Sequence, residues 1–460
     1  MVSTRFQDLE LSKEQLETLN TLQYLEMTPV QAESLPLVLA GKDVIAQAKT
    51  GSGKTAAFAL GILAKLDPSV FDVQSLVLCP TRELAEQVAT EVRKLAQNQP
   101  NIKVLTLCGG APARAQAHSL AHGAHIIVGT PGRILDHLKQ QRLQLSILNM
   151  LVLDEADRML DMGFQDDIDT IIQATPTERQ TLLFSATYPP TIAQIARKYM
   201  RVPVQIEVKT EGESTHIEQY FYQVNGNERE AAVVQLLLDR QPKNAILFCN
   251  TKRAANELHM HLKNHGFSVR ALHGDLEQQE REQTLMLLNN GSVRMIVATD
   301  VAARGLDIKA LDLVINVEFA HDADTHIHRV GRTGRAGEKG VALTLLTGAD
   351  DYKFALLQEV MPEVGDARAL PKGNPKDHKR PEPADMATIQ ILAGKKDKLR
   401  PGDIVGALTK NDALDFASIG KIAVQSQVSF IAISKNKAKQ ALTILTQDKL
   451  KGRRCRARLL

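Results

Sequence analysis

Cysteine is scarce in this 460-residue chain, and the little there is lies scattered. Cys79, Cys108, Cys249 and Cys455 show no paired spacing. That argues against a zinc site and against a disulfide framework, and it fits a reducing compartment. Long apolar runs are absent as well. No stretch approaches the ~20 residues that span a bilayer, and residues 1–8 lack the apolar segment of a secretory signal. The expectation is a cytoplasmic protein with no membrane association. Nor is the charge one-sided: 56 Lys and Arg face 53 Asp and Glu, for a formal net charge of +3. That balance hides an asymmetry. Residues 385–460 carry 15 basic and 6 acidic side chains, a net of +9, which leaves −6 for the remainder. A basic module on a mildly acidic body points to a polyanionic partner for that module, unless it is merely a soluble basic domain.

What is present is a repeated α/β pattern. The length allows two to four domains, and 43% apolar residues is enough for packed cores. The first forty residues read as helical, with a turn signal at Met27-Thr28-Pro29. From 43 to about 207, short apolar runs at 44–46, 75–79, 104–107, 125–128, 151–153 and 181–184 alternate with stretches of helical period. This alternation predicts a parallel sheet with helices on both faces. After a polar connector at 210–214 it restarts, with strands at 219–222, 245–248, 268–272, 294–297, 313–316 and 341–345. Two such domains on a short linker can form a cleft that opens and closes.

Residues 369–384 interleave Pro371, Pro375, Pro381 and Pro383 with Lys372, Lys376, Lys379 and Arg380, which predicts an extended, mobile linker. The last segment reads β-α-β-β-α-β, with strands at 388–392, 420–424, 428–433 and 455–459 and helices at 400–409 and 437–445. That order suits a ferredoxin-like α+β sheet, the topology of RNA recognition motifs. The predicted domains are therefore 1–208, 215–368 and 385–460, with the linker between the last two.

Two stretches carry chemistry. Ala48-Lys49-Thr50-Gly51-Ser52-Gly53-Lys54-Thr55 lies between a predicted strand and a predicted helix, the context of a phosphate-binding loop. Its glycines let successive N–H groups point at an anion, and the helix N-terminus adds partial positive charge. Lys54 suits the β and γ phosphates, and the Thr55 hydroxyl suits Mg²⁺. Ala48 stands where the strict pattern begins with Gly. Further on, Leu151-Val152-Leu153 runs into Asp154-Glu155-Ala156-Asp157. Asp154 can hold Mg²⁺ through its waters, and Glu155 can orient and deprotonate an attacking water. Acids at a helix start are common, so Asp-Glu alone says little. Asp-Glu-Ala-Asp after a strand, about a hundred residues beyond a phosphate loop, says far more.

With these residues the chain resembles the DEAD-box RNA helicases, whose naming motif is Asp154-Glu155-Ala156-Asp157. The match runs over roughly residues 6–350 and implies two RecA-like parallel-sheet domains in tandem, with ATP and Mg²⁺ as cofactors. It implies that Gln31 reads adenine and Phe6 stacks on the base. Where the family often has Gly, Gln23 stands here, which predicts a local backbone change only. Pro80-Thr81-Arg82-Glu83-Leu84-Ala85, Gly109-Gly110 and Thr130-Pro131-Gly132-Arg133 match RNA-backbone motifs, and Ser185-Ala186-Thr187 matches the motif coupling hydrolysis to strand separation. In the second domain, Phe248-Cys249-Asn250-Thr251, Gln278 with Arg281, and Thr299-Asp300 match RNA-side positions. Gly305 and Asp307 match ribose contacts, and His328-Arg329-Val330-Gly331-Arg332-Thr333-Gly334-Arg335 matches the arginine-finger motif, with Arg332 and Arg335 as the fingers.

If Arg332 and Arg335 neutralise the γ-phosphoryl transition state from the second domain, fast hydrolysis requires the cleft to close. RNA and ATP then each favour the other's binding. The other reading of the two arginines is a solvated basic helix end. The RNA contacts should read phosphates and 2′-hydroxyls rather than bases. Taken singly, Arg82, Arg133, Arg281 or the glycines would suit structural turns or surface charge equally well.

The last module resembles the RNA-binding domain of one bacterial DEAD-box subfamily. Members of that group recognise a hairpin near the peptidyl-transferase centre of the large-subunit rRNA and act in assembly of the large ribosomal subunit. The resemblance implies 23S rRNA as partner, for a monomer with no obligate protein partner. Aromatic rings on the central strands usually stack bases in such modules. Here the strand at 419–424, read as the middle one, has none, and Phe416 and Phe430 are the module's only aromatics, Phe430 reading as core. Binding is therefore assigned to Lys395, Lys396, Lys398, Arg400, Lys451, Arg453 and Arg454, unless these are an ordinary solvated face. An ATP-gated RNA clamp with little unwinding is the alternative activity. A DNA helicase is disfavoured by the 2′-hydroxyl contacts.

Overall fold

The computed structural model describes residues 3–48, 51–208, 217–303, 311–334, 339–371, 379–410 and 413–460, and Lys449 without its side chain. These divide near residue 212 into two compact units. The first holds a seven-stranded sheet of β1 (Val44–Gln47), β2 (Ser75–Leu78), β3 (Val104–Leu107), β4 (Ile126–Gly129), β5 (Met150–Asp154), β6 (Gln180–Ser185) and β7 (Val204–Glu207), in the order β3-β4-β2-β5-β6-β1-β7. Every pairing in it is parallel. Successive side chains of a strand leave opposite faces. Val44, Ala46, Val77, Val152 and Leu182 accordingly pack on one side with Phe58 and Leu60 of the helix Lys54–Lys65. Ile45, Leu76, Leu78, Leu151 and Leu183 pack on the other with Ile134 and Met159. Burial of both faces is why these strands read as unbroken apolar runs.

β7 lacked that signal. Only Ile206 of its four residues is buried, because it lies at the sheet edge. Asp43 holds its approach: one carboxylate oxygen accepts the Arg201 N–H (2.7 Å) and the other the Thr181 N–H (2.8 Å).

The second unit contains β8 (Ile217–Gln223), β9 (Ala245–Cys249), β10 (Val269–Leu272), β11 (Met295–Thr299), β12 (Leu313–Asn316), β13 (Gly340–Leu346) and β14 (Arg368–Ala369). Their order, β10-β11-β9-β12-β13-β8-β14, repeats the first sheet strand for strand. β14 has only two residues and was missed in the sequence for that reason.

The same unit carries the C-terminal module: β15 (Met386–Ile391), β16 (Ile419–Val424), β17 (Ser429–Ser434), β18 (Lys449–Leu450), β19 (Arg453–Arg454) and β20 (Ala457–Leu459). Its four-stranded antiparallel sheet has the order β16-β17-β15-β20, and β18 and β19 form a separate small hairpin. This corrects one expectation. The strand at 419–424 is an edge strand, and β15 and β17 are central. Ile389, Ile391, Ile431 and Ile433 pack under the helices Pro401–Thr409 and Ala438–Gln447 through Ile404, Leu408, Ala441 and Leu445.

Phe430 is buried as read, but by alternation it points away from that core. Its face of the sheet is covered by the second domain. Asn290 Nδ2 donates to Thr388 Oγ1 (2.8 Å), the Met386 N–H to the Gly291 carbonyl (3.3 Å), and Lys421 Nζ to the Asn289 carbonyl (3.2 Å). The linker expectation changes with it. Gln241 Nε2 donates to the Arg380 carbonyl (3.2 Å), and Arg294 binds the Pro383 carbonyl (3.1 Å) and the Glu382 carboxylate (2.9 Å). Residues 380–383, which enter the module, are thus held by the second domain, while 372–378 of the predicted linker lie outside the described residues. Among the described residues no helix is long and apolar enough to cross a membrane.

Candidate nucleotide and RNA sites

Open parallel sheets gather ligands at the carboxyl ends of their strands. In the first sheet that edge divides in two. The adjacent strands β5, β6 and β1 end in Asp154-Glu155, Ser185-Ala186-Thr187 and the phosphate loop. The adjacent strands β3, β4 and β2 end in Gly109-Gly110, Thr130-Pro131-Gly132-Arg133 and Pro80-Thr81-Arg82.

On the nucleotide half, the loop turns at Gly51 (φ +87°) and Gly53 (φ +94°) into its helix. A methyl on Gly53 would stand 2.6 Å from Gln31 Nε2 and 2.9 Å from Thr28 Oγ1. Gln31 Nε2 donates to the Gly53 carbonyl (3.0 Å), and its Oε1 accepts the Thr28 N–H (2.9 Å). Gln31 and the phosphate loop are thus one hydrogen-bonded unit. Buried Lys54 spans the loop, its Nζ donating to the Ala48 carbonyl at 2.8 Å. The Ala48 N–H donates to the Ser185 carbonyl (3.0 Å). Thr55 follows in the helix, half-buried beside Ser52 and Lys54. Phe6 is buried in the same core as Leu19, Met27 and Val30. Lys49 and Thr50 lie outside the described residues. Gln23 takes φ +60°, a local cost where a glycine would pay none.

Asp154 ends β5 almost fully buried, and its Oδ1 has no hydrogen-bond partner among the described residues. Burial pushes its carboxyl well above the usual range, and the Lys54 ammonium pulls it part of the way back. An orphaned buried carboxylate oxygen beside the phosphate-loop lysine fits a hard divalent cation, which typically takes one or two carboxylates and keeps its waters. Glu155 holds a left-handed backbone (φ +51°, ψ +53°) as it caps the helix Ala156–Asp161. Strained backbone of this kind clusters at functional sites. Arg158, one turn on and equally buried, donates from Nη1 to Glu155 Oε2.

Asp157 joins this strand end to the next. Its Oδ2 accepts the N–H groups of Ala186 (3.1 Å) and Thr187 (2.9 Å) and the Thr187 hydroxyl (2.9 Å). Burial raises the Asp157 carboxyl, but the hydrogen bonds from Thr187, Ser185 and Arg158 outweigh it and leave the pKa below the ordinary value.

On the other half, Thr81 caps the helix Arg82–Leu95 through the Leu84 N–H (3.3 Å). The Arg82 guanidinium lies across the Gly109-Gly110 turn, where a methyl on Gly110 would overlap it at 1.5 Å. Arg133, in the helix Pro131–Lys139, donates to the Ala111 carbonyl (3.0 Å) and to Gln116 Oε1 (2.8 Å). Three segments remote in sequence therefore share one surface.

In the second unit, Asn250-Thr251 follows β9, while Thr299 ends β11 and Asp300 follows it; β9 and β11 are the counterparts of β2 and β4. Thr251 caps the helix Lys252–Asn264, and Gln278 and Arg281 open the helix Gln278–Asn289 after β10. The residue joining these segments is Arg329. Its fully buried guanidinium binds both Asp300 carboxylate oxygens (2.6 and 2.7 Å), Asn250 Oδ1 (2.6 Å) and the Glu318 carbonyl (2.7 Å), over the Phe248 ring. Asn250 and Asp300, read as RNA contacts, thus spend side-chain atoms on Arg329. Arg332 follows two residues past the end of the helix Ala323–Val330 and is 3% exposed, which removes the solvated-helix-end reading for it. Gly305, Asp307 and Arg335 lie outside the described residues.

Sequence reasoning assigned no role to Arg158 or Arg329. Spacing held a signal for the first, three residues from Glu155 on a helix. For the second there was only its place inside the arginine-finger motif. In the C-terminal module the selected cations do come together. Lys451 Nζ donates to the Lys398 carbonyl (2.7 Å) and pairs with Asp403 (3.2 Å), and Arg453 lies 3.8 Å from Asp397. This joins the loop holding Lys395, Lys396, Lys398 and Arg400 to the hairpin holding Lys451, Arg453 and Arg454, all exposed.

Comparison with known proteins covers most of the chain. Residues 28–195 match the DEAD/DEAH box helicase family model, residues 228–337 the helicase conserved C-terminal domain, and residues 388–459 the DbpA RNA binding domain. The chain is 50% identical over 446 residues to the ATP-dependent RNA helicase DbpA of Escherichia coli (strain K12), covering 97% of each chain. It is 43% identical over 355 residues to the DEAD-box ATP-dependent RNA helicase CshA of Bacillus subtilis (strain 168), covering 77% of this chain and 72% of that one. Among solved structures, S. cerevisiae Dbp5 bound to RNA and ADP BeF3 superposes with a TM-score of 0.73 at 31% identity, covering 80% of this chain and 96% of that one. Motifs, doubled sheet and basic module lead to one conclusion: the chain belongs to the DEAD-box family of ATP-dependent RNA helicases, in its DbpA branch.

Proposed function

We propose that this helicase remodels 23S rRNA during assembly of the large (50S) ribosomal subunit, its C-terminal module holding a hairpin near the peptidyl-transferase centre. The observation that carries the targeting half is the exposed basic cluster of Lys395, Lys396, Lys398, Arg400, Lys451, Arg453 and Arg454, on a module whose opposite sheet face is covered by Asn289–Ser292. Such a module grips RNA through loops and shape rather than through stacked bases. The rRNA assignment itself comes from the family resemblance.

For catalysis, Gln31 and Phe6 take the adenine, and Gly305 and Asp307 the ribose. The backbone from Ala48 through Lys49, Thr50, Gly51, Ser52 and Gly53, with Lys54, cradles the phosphates. Thr55 and Asp154 would hold Mg²⁺, which supplies charge neutralisation on the β and γ phosphates. Glu155 orients a water and takes its proton as the water oxygen bonds the γ-phosphorus and ADP leaves. Arg332 and Arg335 offset the charge that develops. Ser185-Ala186-Thr187, bound to Asp157, passes the change to the RNA half, where Pro80, Thr81, Arg82, Gly109, Gly110, Thr130, Pro131, Gly132 and Arg133 hold the backbone with Asn250, Thr251, Arg281, Thr299 and Asp300. The protein acts as a cytoplasmic monomer, with domains at 1–208, 215–368 and 385–460.

The test compares ATPase stimulation by the rRNA hairpin fragment and by an unrelated hairpin of equal length. Preferential stimulation is expected, and it should vanish on deletion of residues 385–460 while basal RNA-stimulated turnover remains. Equal stimulation of the intact protein by both hairpins sinks the rRNA reading.

A further inference from the structure

Arg158 holds none of the motif positions discussed above, yet it is buried as deeply as the site itself. Its side chain is 4% accessible and that of Glu155 7%. Nη1 donates to Glu155 Oε2, and the Arg158 N–H donates to Asp157 Oδ1 at 2.9 Å. The carboxylate that holds Ala186 and Thr187 therefore also fixes the backbone from which this arginine springs. Nη2, by contrast, is buried with no hydrogen-bond partner among the described residues. A guanidinium buried only to anchor a helix normally has its donors satisfied, so an orphaned one calls for another explanation. Nor does anchoring explain the left-handed backbone that Glu155 maintains.

We propose that Arg158 is a positioning residue for ATP hydrolysis, clamping one carboxylate oxygen of Glu155 so that the other is held toward the attacking water. This rests on the reading of Glu155 as the group that accepts that water's proton. An unrestrained carboxylate swings about its side-chain torsions. A charge-assisted hydrogen bond from a buried, planar fork removes that freedom, and small misplacements of a reacting group are costly in rate. The clamp also lies on the coupling route. Thr187 binds Asp157, Asp157 binds the Arg158 backbone, and Arg158 binds Glu155.

The experiment measures kcat and KM for ATP at saturating RNA, in the full-length protein, for Arg158→Met, Arg158→Lys and Glu155→Gln. Arg158→Met should lower kcat about tenfold or more with KM for ATP within about twofold, the pattern of an interaction that matters in the transition state. Arg158→Lys, which keeps the charge without the fork, should recover part of the loss. Added to Glu155→Gln, Arg158→Met should cost nothing further, since residues acting as one unit are not additive. Should Arg158→Met fail to fold, the lysine variant carries the comparison, and lowered kcat at unchanged KM supports the clamp. A folded Arg158→Met enzyme at the wild-type kcat overturns it. So does a kcat loss matched by a rise in KM, or a full further loss in the Glu155→Gln background. Near-wild-type turnover by Glu155→Gln alone instead removes the proton-acceptor reading, a separable outcome.

Discussion

The N–H and the hydroxyl of Thr187 both donate to Oδ2 of Asp157, each at 2.9 Å. Asp157 lies one residue into the helix that Glu155 caps, and Thr187 lies two residues past β6. This pair joins the ends of two neighbouring strands at the nucleotide half of the site. Thr187→Val keeps the side-chain shape and the backbone N–H but removes the hydroxyl donor. The expected cost is about 1.5–3 kcal/mol of stability, the range for a hydrogen bond to a charged group. RNA-stimulated ATPase should fall little, while duplex displaced per ATP hydrolysed falls several-fold. A strand-displacement assay run beside phosphate release measures that ratio, and an unchanged ratio would remove the pair from the coupling route.

Gly53 admits no side chain. Its φ of +94° strains any L-residue, and the added carbon would press on Gln31 and Thr28. Gly53→Ala should raise KM for ATP at least tenfold, from strain of about 1–3 kcal/mol at the loop. Gln31→Ala removes one hydrogen bond to the loop, at the Gly53 carbonyl, but imposes no backbone strain, and should act mainly on discrimination between ATP and GTP. Competition binding with both nucleotides separates the two effects.

His326 gives a pH signature to the second unit. It is fully buried against Phe221 and Phe319, with Nε2 at 2.9 Å from Gln219 Oε1. Burial, with nearby Arg329 adding to it, lowers its pKa to about 4. The unfolded chain protonates first as pH falls, so the stability from neutral His326 is whole above about pH 6.5 and lost on the way down to about pH 4. The full swing is on the order of 3 kcal/mol. Denaturant unfolding at pH 7.5 and pH 5 should show a drop for the wild type that is markedly smaller in His326→Gln.

Asn290 and Thr388 join the module to the second domain. Asn290→Ala removes one hydrogen bond to Thr388 and leaves the Ser292 hydroxyl contact at 2.8 Å. Hydrogen exchange over β15 should quicken several-fold, in line with about 1 kcal/mol of lost interaction. Exchange in the first sheet should not move. Unchanged protection of β15 would mean that the interface does not rest on this pair.

Much of the fold was legible because its signals are local. The interior strands β2, β4, β5 and β6 and their counterparts β9, β11, β12 and β13 are buried almost throughout, so each appears as an apolar run followed by a turn. β7 and β14 sit at sheet edges, where one strand buries a single side chain and the other has two residues, and neither leaves a run to detect. The hairpin of β18 and β19 hid in a basic stretch for the same reason. In the module, the order of elements was readable, but which strand lies in the middle was not. Edge and centre are properties of pairing, and β16 and β17 are equally long.

By itself the sequence determined the chemical inventory. A phosphate loop, an Asp-Glu pair at a strand end and an arginine-rich turn are each written within a dozen residues, because strand, turn and helix are short-range structures, and the basic terminal module shows in composition alone. Tertiary structure decided how that inventory is shared. Only the order β3-β4-β2-β5-β6-β1 sends the phosphate loop, Asp154-Glu155 and Ser185-Ala186-Thr187 to one half of the sheet edge and Arg82, Gly109-Gly110 and Arg133 to the other. Only folding brings Arg329 onto Asn250 and Asp300, and Asn290 onto Thr388. These partners are tens of residues apart in the chain. No local propensity encodes their meeting, which comes from parallel pairing and from the burial of polar groups that must find partners.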